Sequence, residues 1–159
     1  MSIIRTEIEI LAGAELCFDL ARSVDAHVAS AGSTRETAVG GVTSGLLGLG
    51  DTVTWRATHF GITQELTGKI TAFDRPRHFR DEMTRGAFKR LAHDHYFEPL
   101  PHGTRMVDVF DFAAPWGILG PAVDRILLTR YLQAFLEHRA VVLKRLAESG
   151  EGLRLIANS

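Results

Sequence analysis

The stretch RLAHDHYFE, residues 90–98, alternates like a strand and puts two imidazoles on its apolar side. Leu91, His93, His95 and Phe97 fall on that side, while Arg90, Ala92, Asp94, Tyr96 and Glu98 fall on the other. A strand packed on a core ordinarily carries Val or Ile where these rings stand. Period-two parity gives them company. Residues 52–59 group Val53, Trp55, Ala57 and His59; residues 79–85 group Phe79, Asp81 and Met83. Residues 104–112 group Met106, Asp108, Phe110 and Phe112, and Leu66 and Ile70 fit the same side of the segment between. The pooled apolar face therefore carries His59, Asp81, His93, His95 and Asp108.

Three kinds of role suit such a set. A carboxylate that accepts from an imidazole N–H fixes the tautomer and satisfies both groups, so the cluster could be a polar knot holding strands in register. If the residues line a pocket, they would orient the polar end of an otherwise apolar ligand. In an enzymatic variant of that same pocket role, one His would act as general base on an acidic carbon beside a carbonyl, with an Asp orienting it. The third role is metal binding, by His93 and His95 with His59 or a carboxylate. His-x-His alone is a weak signal, and no helical HExxH or cysteine pair supports it, so no metal and no cofactor are expected.

The elements that must position these groups follow from periodicity and turn chemistry. Ile4, Thr6, Ile8 and Ile10 alternate with charged residues as a first strand. Residues 14–31 switch toward helical spacing, interrupted near Ser23-Val24-Asp25, where Ser23 or Asp25 could cap the second of two short helices. Strand-like segments then cover 51–60, 65–73, 79–85, 89–98 and 104–113, separated by Gly61, Asp74-Arg75-Pro76, Gly86 and the 99–103 turn. A long helical tract starts near Pro121 and stops at Ser149-Gly150. The order predicts an α+β fold: a curved antiparallel sheet of about six or seven strands wrapped on a long C-terminal helix, with two short helices after strand 1. Val123, Leu127, Tyr131, Ala134, Phe135, Val142 and Leu146 are expected to face the sheet.

At 159 residues the chain is expected to form one domain, 1–159. A net charge of −1 gives no electrostatic case for nucleic acid. The single cysteine, Cys17, excludes an internal disulfide and reads as a buried thiol. Charged residues interrupt the N-terminal apolar run, and no run approaches the ~18 residues of a spanning helix. A soluble, cytoplasmic protein is expected.

Element order and particular words together are similar to the START/birch-pollen-allergen-like helix-grip (SRPBCC) superfamily, in its bacterial polyketide cyclase/dehydrase-like branch. The words are GVTSGLLGLGDTVTWRATHFG (41–61), ITAFDRPRHFRDEMTRGAFKR (70–90) and HDHYFEPLPHGTRMVDVFDFAAPWGILG (93–120). The resemblance covers nearly the whole chain. It implies an internal cavity between sheet and long helix, opening near the loops and the glycine-rich segment. The lining would then comprise Trp55, His59, Ile70, Phe79, Asp81, Met83, Leu91, His93, His95, Phe97, Met106, Asp108, Phe110 and Phe112, with Trp116 at the pocket mouth. In an enzyme of the cyclase/dehydratase kind, His93, His95, His59, Asp81 and Asp108 would be the catalytic set.

GGVTSGLLGLGD (40–51) is not a phosphate loop, since it lacks GxxxxGK[ST] and no helix follows it. The resemblance makes it a lid, with Leu46, Leu47 and Leu49 as shields and glycines for movement. Surplus apolar residues on the last helix suggest deep embedding or a homodimer surface. His138 and Arg130 could reach a ligand, whereas Arg139, Lys144 and Arg145 read as a solvated face. His27, His78 and His102 read as surface or loop residues. The first expectation is binding of a hydrophobic, lipid- or polyketide-like molecule with a polar end; a cyclase/dehydratase enzyme and an interaction module with a vestigial cavity are the alternatives.

Overall fold

The computed structural model describes residues 2–114 and 123–159, without the side chains of 33 and 123–125. Strand β1 (Ser2–Ile10) leads into helices α1 (Ala14–Ala21) and α2 (Val24–Ser30) and a 3-10 turn at Gly32–Thr34. Six strands follow: β2 (Thr37–Gly41), β3 (Thr52–His59), β4 (Ile62–Asp74), β5 (His78–Arg85), β6 (Arg90–Leu100) and β7 (Gly103–Ala113). Helix α3 (Val123–Ser149) and a short α4 (Glu151–Ala157) close the chain. Pro121, expected near the start of α3, and Trp116, expected at the pocket mouth, lie outside the described residues.

All seven strands form one antiparallel sheet in the order β1-β7-β6-β5-β4-β3-β2. The register of β4 against β5 shifts twice, between Thr67 and Gly68 and between Ile70 and Ala72. Extra residues of this kind bend a strand and increase its twist, which helps curl the sheet. The α1–α2 break falls where the sequence places it: Ser23 Oγ accepts from the Ala26 amide at 3.1 Å, capping α2. Ser23→Ala is expected to cost about 1 kcal/mol, read as a shift in the midpoint of chemical denaturation at unchanged slope.

The sheet closes on α1 and α3 around an apolar core. Phe18 of α1 sits at its centre, edge-on to Phe73, Phe79 and Phe97 at 5.3, 5.2 and 5.4 Å. A second cluster joins Ile4, Leu91, Phe110 and Phe112 to Leu132 and Leu136 of α3.

The buried stripe of α3 differs from the one expected. Leu132, Leu136, Ala140, Leu146 and Ala147 are buried, and Leu128, Tyr131 and Phe135 are partly so. Leu127 is 59% exposed, and Ala134 is exposed as well. With apolar residues on several sides of the helix, periodicity admits more than one stripe. At Gly150 the backbone turns left-handed (φ 77°), ending α3 as expected, and α4 folds back so that Gly152 packs against Leu20. Neither α4 nor β2 stands out as a separate element in the sequence.

The glycine-rich segment is tied down. Val24 N–H donates to Gly45 O at 2.9 Å, Leu47 N–H donates to Arg22 O at 3.0 Å, and Gly45 N–H donates to Asp25 Oδ2 at 2.9 Å. Leu47 is buried, while Leu49 is 65% exposed. Of the three expected shields, Leu47 faces the interior and Leu49 faces solvent. No helix among the described residues is long and apolar enough to cross a membrane.

Candidate functional site

A cavity of about 140 Å³ lies between the sheet and α3. That is roughly ten times the ~10–15 Å³ that one water needs, so it is more than a packing defect. Val53, Leu66, Ile70 and Phe79 of the sheet and Leu132 and Leu136 of α3 supply apolar wall. A smaller space of about 40 Å³ shares His27, His93, His95, Leu136 and Arg139 with it.

The strand register assembles the ionisable cluster. Asp81 of β5 stands opposite His93 of β6, and Asp108 of β7 stands opposite His95. Side chains directly opposite on one face are neighbours, so alternation alone brings four groups from three strands together. His95 donates through Nε2 to Asp81 Oδ2 at 2.9 Å, and its Nδ1 lies 2.7 Å from Asp108 Oδ1. Its ring stacks on Phe79 at 4.2 Å. Burial alone would discharge His95, but the two carboxylates outweigh it and raise its pKa to about 9. Asp108 is held well below the usual carboxylate range: burial opposes ionisation, and its two imidazole partners overcome it. Asp81 is lowered likewise, chiefly by its bond to His95, and keeps 31% of its side-chain surface accessible.

His93 is held differently. Its ring lies 3.8 Å from that of His95, with Phe110 edge-on at 5.1 Å. Nδ1 is 4.0 Å from Asp81 Oδ2 and Nε2 is 3.2 Å from Asp108 Oδ1. The second approach is close but misdirected, leaving Nε2 buried without a hydrogen bond. Burial, reinforced by the His95 charge, lowers the His93 pKa and keeps the ring neutral. A neutral imidazole thus sits against an imidazolium.

A second polar group escaped the sequence reading. His27 of α2 is a half-buried wall residue, stacked on Trp55 at 3.7 Å and 11°. Its Nε2 lies 3.0 Å from Glu36 Oε2, and Arg139 of α3 donates to its Nδ1. Burial and the neighbouring guanidinium lower the His27 pKa, while His27 and Arg139 overcome burial to bring Glu36 down to about 2. Arg139, read as solvated, lines the cavity instead; His138 and Arg130 are exposed and line neither space. The signal was present. Arg139 follows Leu132 and Leu136 by seven and three residues, and His27 follows Val24 by three.

Of the residues named from sequence, Trp55, His59, Ile70, Phe79, Asp81, Leu91, His93, His95 and Phe110 line the larger space. Met106 and Asp108 line the smaller one with the two histidines. Met83, Phe97 and Phe112 pack into the apolar clusters and line neither. His59 stands apart from the Asp–His cluster, its Nδ1 2.6 Å from the Tyr131 hydroxyl. His78 lies on the other face of the sheet, where it and Arg80 hold Asp94 at 2.7 and 2.8 Å. His102 is exposed in its turn.

A curved antiparallel sheet gripping a long helix around a lined cavity is the helix-grip architecture. No protein-family model matches the chain, and no curated protein matches it. Solved structures do. The protein TTHA0849 of Thermus thermophilus superposes with a TM-score of 0.78 at 20% identity, over 94% of this chain and 99% of its own. A START superfamily protein from Mycobacterium smegmatis gives a TM-score of 0.70 at 14% identity, over 92% and 97%. Ginseng major latex-like protein 151 from Panax ginseng gives 0.67 at 13% identity, over 92% and 97%. The chain has the START/birch-pollen-allergen-like helix-grip fold, as its sequence words imply. These likenesses leave the polyketide cyclase/dehydrase-like branch unspecified.

Proposed function

We propose that residues 1–159 act as one cytoplasmic ligand-binding domain. The ligand is a hydrophobic small molecule, lipid- or polyketide-like, with a polar end, held in the space between the sheet and α3. The observation that carries this reading is the cavity itself: apolar walls, broken on the sheet side by His59, Asp81, His93 and His95 and on the helix side by His27 and Arg139 with Glu36, at a volume of about 140 Å³. Apolar wall with a few placed polar groups is the usual composition of a small-molecule site. Ile126, Leu127 and Val141 of α3, exposed by 57%, 59% and 47%, would support weak homodimerisation.

Native mass spectrometry of the gently purified protein tests both parts at once. One retained apolar molecule per chain is expected, with a minor dimer. Empty protein from several expression hosts would overturn the carrier reading.

One observation favours a second reading, a cyclase/dehydratase-type enzyme. The His93 and His95 pKa values are pushed in opposite directions within one cluster, an arrangement that separates base from acid. Neutral His93 would take a proton from a carbon beside a carbonyl, with Asp81 and Asp108 orienting the rings. His93→Phe discriminates the two, using the recovered molecule as probe. A binder keeps most of its affinity, whereas an enzyme keeps the ligand and loses about 10²–10⁴-fold in kcat.

A further inference from the structure

The two imidazoles of β6 have the same carboxylates on their two sides. His95 turns Nδ1 to Asp108 at 2.7 Å and Nε2 to Asp81 at 2.9 Å. His93 turns Nε2 to Asp108 at 3.2 Å and Nδ1 to Asp81 at 4.0 Å. One carboxylate thus stands behind both rings and the other stands in front of both. The front donors come from Asp81, His93 and His95, and these three residues offer ligand atoms that all lie within 4.8 Å of one another.

We propose that Asp81 Oδ2, His93 Nδ1 and His95 Nε2 form a binding site for a divalent first-row transition metal such as Zn²⁺. Asp108 is the shared acceptor that aims the two rings. Two imidazoles and one carboxylate are a donor set that zinc and its neighbours accept. Metal-bound histidines characteristically give their other N–H to a carboxylate, and here one carboxylate faces the rear nitrogen of each ring. The arrangement also accounts for the unpartnered, buried His93 Nε2. A small turn of that ring aligns Nε2 with Asp108 and carries Nδ1 toward the spacing of about 3.4 Å that tetrahedral bonds near 2.1 Å set. The ion takes the place of the proton between His95 Nε2 and Asp81 Oδ2. Asp81, His93 and His95 all line the larger cavity, so the fourth coordination position opens into it.

The site does not depend on the apolar-ligand reading. A carrier without a metal would still retain its ligand, and a metal protein would still bind Zn²⁺ if nothing else were found in the cavity. The test is calorimetric titration of the untagged, chelator-treated chain with Zn²⁺, and an absorbance titration with Co²⁺. One equivalent of Zn²⁺ is expected to bind with a Kd below about 1 μM, and Co²⁺ should give visible d–d absorption. Mg²⁺ should not compete, because it prefers oxygen donors. Asp81→Asn and His93→Phe, each checked for folding by circular dichroism, should each weaken Zn²⁺ binding about 100-fold or more. Absence of saturable binding at about 1 mM Zn²⁺, or full affinity in a folded His93→Phe or Asp81→Asn chain, would overturn the proposal.

Discussion

Asp108→Asn should destabilise the protein by about 3–5 kcal/mol near neutral pH, because it strips one carboxylate from a buried, charged imidazole. At about 2–4 °C per kcal/mol for a chain of this size, the Tm should fall by on the order of 10 °C. The pH profile identifies the cause. The pKa of His95 is raised from 6.5 to about 9 in the folded state. Its contribution to stability is therefore complete below pH 6.5 and is lost as pH rises through about 9. Asp81 and Asp108 are lowered from 3.8, so theirs is present above that value and is lost as pH falls below it. His93 is lowered from 6.5, so the folded state loses ground as pH falls below 6.5 and the unfolded ring takes up its proton first. Together these place the stability maximum near pH 6.5. Denaturation midpoints collected from pH 5 to 9.5 should show this maximum in the wild type and a much flatter limb above it in Asp108→Asn. A loss under about 1 kcal/mol with an unchanged limb would mean that Asp108 does not hold the charge on His95.

The second large effect is on occupancy. Leu136 is 5% exposed and lines both the larger and the smaller space from α3. Leu136→Trp should fill the shared volume and lower the affinity for a fluorescent apolar anion such as anilinonaphthalene sulfonate by about 100-fold, or 2.7 kcal/mol. Overpacking costs about 1–3 kcal/mol, so thermal denaturation must first show a folded variant. Undiminished probe binding by the folded variant would place the apolar site elsewhere on the protein.

The strands were legible because each carries a strict two-residue alternation bounded by glycine, proline or aspartate turns. That alternation also put His93, His95, Asp81 and Asp108 on one face, and cross-strand register then turned a shared face into contacts of 2.7 to 4.0 Å. Distances of this kind depend on which strands neighbour each other. Parity does not contain that information. It likewise says nothing of how far along a strand a residue lies, so His59, correctly placed on the face, falls beside Tyr131 and away from the other histidines. Helical groups were harder still. Arg139 looked solvated beside Lys144 and Arg145, yet only its position relative to Leu132 and Leu136 matters for where it points. Glu36 sits between short elements with no periodicity to read, and it joins the site through His27.

Six of the seven strands lie beside their sequence neighbours, but β1 pairs with β7, joining Ser2 to Phe112 and Ile10 to Thr104. Closing a loop of that length costs more chain entropy than any hairpin in the sheet. Of the seven strands β1 is translated first and its partner β7 last, so β1 has no sheet partner until every other strand of the sheet has been made. During that interval the backbone edge of β1 that β7 later takes is open, and it must be kept from pairing with other chains.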